Sequence, residues 1–202
     1  KDITTLGRGG SDTTAVAIAA AIKADHCYIF SDVDGVYSTD PNKITDAKKI
    51  EELSYDEMLD LSNEGAKVLH NRCVEIAQKY NVLIETGSTF NNNIGTQINN
   101  KIEESSVKSI VKNDNLFLIT LKYENYNADM LNDLFITLLN NDIIPTNLVN
   151  NSINSFNISF TIKASNLSKF QSLLENELSK YSSSFINISR ISLVGYGIVN
   201  NK

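Results

Sequence analysis

Apolar positions run along this chain in two rhythms. From Ser11 to about Ala24, small apolar residues ("AVAIAAAI") cover most faces of a helical period, which predicts a helix buried on several sides and capped by Ser11. "HCYIFSDV", from His26, predicts an interior strand. "SDVDGVYSTDP" then predicts a polar loop that turns at Asp34-Gly35 and stops at Pro41. "SYDE", Ser54 to Glu57, has the capping-box spacing and starts a short helix through "MLDLSN". A second helix is predicted from about Glu64 to Tyr80, before a strand in "VLIETGS". Strands that alternate with helices in this way predict an α/β region with a largely parallel sheet.

Beyond about residue 106 the rhythm changes to plainer alternation among dense Asn and Ser. It predicts strands at about 107–112, 116–123, 143–149, 154–163 and 185–194, with helices at about 128–140 and 166–180. Leu131, Leu134, Phe135 and Leu138 form the apolar stripe of the first helix; Phe170, Leu173, Leu174 and Leu178 form that of the second. From residue 116 the order is βαββαβ, the ferredoxin-like split βαβ arrangement. Two domains are therefore expected, 1–103 and 104–202, with the boundary near Lys101 to Ser106.

Composition narrows the function classes. The 202 residues carry 18 Lys plus Arg against 24 Asp plus Glu, a formal charge of −6, and no basic run interleaved with aromatics, which argues against a nucleic-acid partner. The longest apolar stretch, "AVAIAAAIKA", is too short to span a bilayer, and the first residues do not resemble a signal peptide, so a cytoplasmic protein without a membrane partner is expected. Cys27 and Cys73 form no Cys-x-x-Cys pair and read as small buried hydrophobes. His26 at the head of a strand and His70 within the second helix read as structural residues, and no resident metal site is expected.

The candidate chemistry starts in "TLGRGGSDTTA", residues 4–14. Gly7, Gly9 and Gly10 let the backbone approach a ligand and turn its N–H groups toward an anion. The helix that follows adds the positive end of its dipole, so a carboxylate or phosphate is favoured there. Arg8 can grip a carboxylate by two parallel hydrogen bonds, while Ser11 and Asp12 crowd the same helix start. The next loop carries Ser31, Asp32, Asp34, Tyr37 and Asp40. Paired carboxylates there could hold magnesium or bond a ribose, a tyrosine could lie along a base, or the loop could be a solvated turn. In an open α/β sheet such loops gather at one edge, where ligands bind.

Three motifs in order, "TTLGRGGSD", "SDVDGVYSTDP" and "EGAKVLH", resemble the aspartokinases of the amino-acid kinase family. The resemblance is strong over about residues 1–100; the remainder looks like the ACT regulatory region that follows the kinase domain in such proteins. It implies transfer of the ATP γ-phosphoryl group to the side-chain carboxylate of L-aspartate, with Mg2+, and amino-acid feedback by lysine or threonine. Residue by residue it implies that Arg8 grips the aspartate α-carboxylate, that Gly9, Gly10 and Ser11 line the substrate, and that Asp12 stands near the transferring phosphoryl group. Ser31, Asp32, Tyr37, Asn42, Lys67 and Val68 would meet the nucleotide. It also implies a homodimer or higher oligomer through ACT pairing.

The sequence departs from the family in places. Asn42 follows "DP" where many members have a basic residue, and Pro145 and Thr146 stand where a valine-aspartate pair often opens the second ACT strand. Family members begin with a strand and a "KFGG"-like loop that precede the region matching this chain. The chain is accordingly expected to hold one half of a kinase domain and to lack catalytic competence alone. A non-catalytic ACT-containing regulatory subunit, or a kinase for a different carboxylate, is the alternative reading.

Overall fold

The computed structural model describes residues 6–66, 68–90, 94–101, 106–124, 129–152 and 155–196. The chain divides into two compact units, Lys1–Lys112 with Ile191–Lys202, and Asn113–Arg190. Among the described residues no helix is long and apolar enough to cross a membrane.

In the first unit, α1 spans Gly10–Ile22 and ends at Lys23, which adopts a left-handed φ of 56°. The orphan carbonyls of Ala19 and Ala20 accept from Ala24 N–H (2.9 Å) and Lys23 N–H (3.2 Å), a closure that lets the chain reverse into β1, His26–Ser31. β2 is Glu52–Ser54, and α2, Tyr55–Glu64, opens with the expected capping box between Ser54 and Glu57. The helix predicted over 64–80 is corrected. Gly65, with φ 116°, stops α2, and α3 begins only at Asn71 and runs to Tyr80. His70 is the N-cap of α3, its side chain accepting from Arg72 N–H, so it lies outside the helix where periodicity placed it. Leu69 is buried in the core, which explains why the apolar rhythm continues through a segment that is not helical.

β3 spans Leu83–Ser88 and β4 Ile94–Asn99. The strand order is β1-β3-β4-β2, with β1/β3 and β2/β4 parallel and β3/β4 antiparallel. β2 and β4 were not expected from periodicity. Register places Cys27 beside Ile84 and Ile84 beside Ile98. These residues pack with Val16 and Ala19 of α1, Met58 and Leu61 of α2, and Cys73, Val74 and Ala77 of α3 in one core. Both cysteines are buried and free.

The second unit is built on the part of β5 (Ser109–Tyr123) from Asn113 onward, α4 (Asp129–Asn140), β6 (Thr146–Asn150), β7 (Phe156–Lys163), a 3-10 turn at Ala164–Asn166, α5 (Leu167–Asn176) and the part of β8 (Ser182–Val194) up to Arg190, the first residues of β5 and the last of β8 belonging to the first unit. The two strands predicted at 107–112 and 116–123 are one. Its first part pairs with the loop at Ser38, through Ile110 N–H to the Ser38 carbonyl (2.8 Å), and its second with β7, so pairing keeps the polar "NDN" extended. Sheet order β6-β7-β5-β8 is that of a ferredoxin-like βαββαβ unit. Leu134 and Leu138 of α4 and Phe170 and Leu173 of α5 share a core with Ile119, Leu121, Ile158 and Phe160. Alternate positions of the strands carry hydroxyls that bond one another, Thr120 to Ser159 (2.9 Å) and Thr146 to Thr161 (2.7 Å).

Candidate active site

Topology of the first unit gathers the polar loops. α1 runs back into β1 and α3 into β3, and β1 and β3 are parallel, so both helices begin at the edge where both strands end. β4 is antiparallel to β3 and starts at that same edge. The glycine loop, the segment before α3, the loop after β1 and the head of β4 therefore share the strand-end edge at which α/β sheets bind ligands.

Gly7 and Gly9 adopt left-handed φ values of 75° and 73°, which glycine takes without steric cost. Gly9, not Ser11, is the N-cap of α1 and Gly10 its first residue, a correction to the expected capping by Ser11. The Ser11 hydroxyl donates to Asp12 Oδ1 (3.2 Å). The hydroxyls of Thr13 and Thr14 are turned back on the loop, donating to the carbonyls of Gly9 (2.8 Å) and Gly10 (2.7 Å). Arg8 and Ser11 are exposed, and Asp12 is half-buried in the first turn. An open depression of about 510 Å³ lies along Gly7, Gly10, Ser11, Thr14 and Ile18.

Gly9 is also where two motifs meet. A β-carbon there would lie 2.4 Å from His70 Cγ, so the His70 ring sits directly against the loop. "GRGGSD" and "GAKVLH", some sixty residues apart, thus form one contact. Val68 is half-buried and packs on the core; Lys67, between it and Ala66, lies outside the described residues.

The second loop is tied from within. Ser31 Oγ accepts from Val33 N–H (3.2 Å), and the Ser31 carbonyl accepts from both the backbone and the hydroxyl of Thr89. The Tyr37 hydroxyl donates to Asp34 Oδ1 (2.7 Å) while Lys49 Nζ stands 3.7 Å from Asp34 Oδ2. That hydrogen bond to Asp34, with burial and the carboxylate charge adding to it, raises the Tyr37 pKa. Asn42 gives both its backbone and side-chain N–H to Asp40 Oδ1, which together with Lys43 holds Asp40 below the usual carboxylate range. Asp32 is exposed. Thr96 clamps the loop to β4: its Oγ1 accepts from Val36 N–H (2.8 Å) and donates to the Ile50 carbonyl (2.6 Å).

Periodicity and motif spacing missed Thr96, Lys49 and the cap at His70. Only Gly95 hinted at the clamp, being a glycine in a strand where another backbone approaches; a β-carbon there would fall 2.1 Å from the Asp34 carbonyl oxygen. Among the described residues no group of three or more His, Cys, Asp or Glu side chains is placed to hold a metal ion.

Comparison with known proteins matches residues 1–85 to the amino acid kinase family. The aspartokinase of Geobacillus stearothermophilus is 40% identical over 210 aligned residues, covering 99% of this chain and 50% of that protein. Over almost its whole length the chain is thus similar to aspartokinases. It spans about half the length of the curated aspartokinases it matches. Escherichia coli aspartokinase III, solved with aspartate and ADP, superposes over 98% of this chain and 46% of its own with a TM-score of 0.79 at 28% identity. The same enzyme with lysine and aspartate gives 0.76 over 95% of this chain and 44% of its own, also at 28% identity. The aspartokinase fold thus extends through both units of the chain.

Proposed function

We propose that this protein is an aspartate kinase, transferring the γ-phosphoryl group of ATP to the side-chain carboxylate of L-aspartate. The observation that carries the reading is the convergence of "GRGGSD" and "GAKVLH" at Gly9 and His70, at the strand-end edge, with Arg8 exposed beside it. Arg8 takes the α-carboxylate by paired hydrogen bonds. Gly9, Gly10 and Ser11 line the substrate, backed by the unpaired N–H groups at the start of α1. A side-chain carboxylate oxygen of aspartate attacks the γ-phosphorus, the bond to the bridging oxygen of ADP breaks, and Asp12 helps to orient the groups near the phosphoryl. Little covalent chemistry falls to the protein in such a step; positioning and charge neutralisation dominate.

On the nucleotide side stand Ser31, Asp32, Tyr37, Asn42, Lys67 and Val68. Since the Tyr37 hydroxyl is spent on Asp34, its ring is the part offered to the nucleotide. Asn42 likewise is already bonded to Asp40 and acts by shaping the turn. Exposed Asp32 is the carboxylate that would help to hold the Mg2+ of Mg-ATP. The ion supplies further neutralisation of the phosphates. The βαββαβ unit is read as an ACT module that takes an effector, lysine or threonine, and pairs chains into a homodimer or higher oligomer; the lysine-bound relative supports the effector reading. A cytoplasmic setting follows from this chemistry.

Calorimetric titration with L-aspartate tests the reading, comparing the protein with Arg8→Ala. Loss of a charge-assisted pair is expected to weaken aspartate binding by roughly 30- to 100-fold with the melting temperature unchanged. Equal affinity in both proteins overturns the assignment. Protection by ATP and by lysine or threonine, read as a rise in melting temperature, separates the nucleotide site from the effector site.

A further inference from the structure

The His70 imidazole joins the two motif loops through direct contact with a glycine of the substrate loop. Three observations bear on what it does. The space that a β-carbon would take at Gly9 is already filled by the ring, with Cγ at 2.4 Å and Cβ and Cδ2 at 2.5 Å. His70 is itself anchored at the head of α3: its carbonyl accepts from Cys73 N–H (3.0 Å) and Cys73 Sγ (2.9 Å), and its Nδ1 accepts from Arg72 N–H (3.4 Å). Gly9 in turn is the N-cap of α1, and its carbonyl accepts from both N–H (3.1 Å) and hydroxyl (2.8 Å) of Thr13. A rigid path therefore runs from the packed start of α3, through the ring, to the residue that sets the direction of Arg8 and of the N–H groups opening α1.

We propose that His70 is a positioning residue for aspartate recognition, its ring bracing Gly9 in the left-handed conformation so that Arg8 on one side and the Gly10–Ser11 backbone on the other face one carboxylate site. The proposal rests on the aspartate reading of that loop, and it refines it. Glycine at position 9 is then required twice, for its φ of 73° and for the room its missing β-carbon leaves the ring. The ring acts by filling space.

His70→Asn separates bracing from capping, because asparagine is a good N-cap that restores the acceptor toward Arg72 N–H while removing the ring. In the protein as it exists, it is expected to raise the dissociation constant for L-aspartate about tenfold, with ATP affinity within twofold of the parent. Amide hydrogen exchange across residues 9–12 is expected to quicken in the absence of any substrate. Gly9→Ala is expected to weaken aspartate binding further, and adding His70→Ala to it to recover part of that loss, since the second change removes the clashing atoms. A His70→Asn protein with parental aspartate affinity and parental exchange overturns the proposal, as does a Gly9→Ala/His70→Ala pair whose losses add. Should the parent itself fail to bind aspartate, the functional reading falls while exchange at residues 9–12 still decides whether the ring braces the loop.

Discussion

Arg8 and Ser11 in the glycine loop are exposed, whereas Asp34, Tyr37 and Asp40 in the following polar loop bond to groups of the same region. Both loops stand at one edge of one sheet. The first is shaped by backbone: two left-handed glycines, a helix cap and a ring packed against Gly9. The second is shaped by side chains, and held to β4 by a single buried threonine. A polar residue in a candidate site can thus serve the ligand or the loop, and the partner it already has decides which. Arg8 is exposed to solvent, whereas Asp34 is taken up by Tyr37 and Lys49 within the loop.

That contrast can be broken by mutation. The largest effect is expected at Gly95→Ala, because the new β-carbon would meet the Asp34 carbonyl oxygen at 2.1 Å, a backbone atom that cannot step aside. A loss of about 3 kcal/mol or more is expected in chemical denaturation, and a loss below 1 kcal/mol would show the loop to be loosely seated. Thr96→Val keeps shape but leaves Val36 N–H and the Ile50 carbonyl without their partner. About 2 kcal/mol is expected from two buried groups left unpaired, with nucleotide affinity falling in step; stability lost without any change in nucleotide binding would separate the clamp from the site.

Tyr37→Phe is expected to cost about 1 kcal/mol near neutral pH, as one partly buried hydrogen bond is removed. Its pH dependence sharpens the point. The fold holds the Tyr37 proton more tightly than the unfolded chain does, so this stabilisation is complete below the ordinary phenol value of about 10 and drains away as pH climbs through the raised one. Tyr37→Phe should therefore flatten the alkaline limb of the stability curve, and an unchanged limb would mean that the phenol is not held by Asp34. Smallest of all is Ser11→Ala, expected within about 0.5 kcal/mol because an exposed hydroxyl is removed at a helix start that Gly9 already caps. A cost equal to that of Thr96→Val would erase the distinction between the two loops.

Cysteine labelling probes the packed floor beneath them. Burial, with a smaller contribution from the charge of Asp12, pushes the Cys73 thiol up to about 12. The native protein should resist thiol reagents at pH 8 and react fully only when unfolded; rapid labelling under native conditions would show that α1 and α3 separate readily at the very point where they carry the two motifs.

Local chemistry was legible. The capping box at Ser54, the apolar stripes at Leu134 and Leu138 and at Phe170 and Leu173, the βαββαβ order and the glycine-to-helix junction all depend on residues within a few positions of one another. What misled periodicity was also specific. Leu69 is apolar for the sake of the core while Gly65 turns left-handed and ends α2, so a continuous helical rhythm crosses two helices and a loop. The polar "NDN" of β5 stays extended because partners on both sides hold it. β4 carries little period-2 signal, since buried Thr96 and Asn99 sit among its apolar positions to bond other segments.

By itself the sequence determined which backbone can turn, which helix can start and which side chains could grip a carboxylate, because these follow from single residues and their nearest neighbours. Tertiary structure alone decided that Gly9 lies under His70, that Asp34 is consumed by Tyr37 and Lys49, and that Thr96 holds the second loop. Each of those is a contact between segments brought together by strand order and buried apolar area, and no local pattern along a chain encodes the partner at its far end.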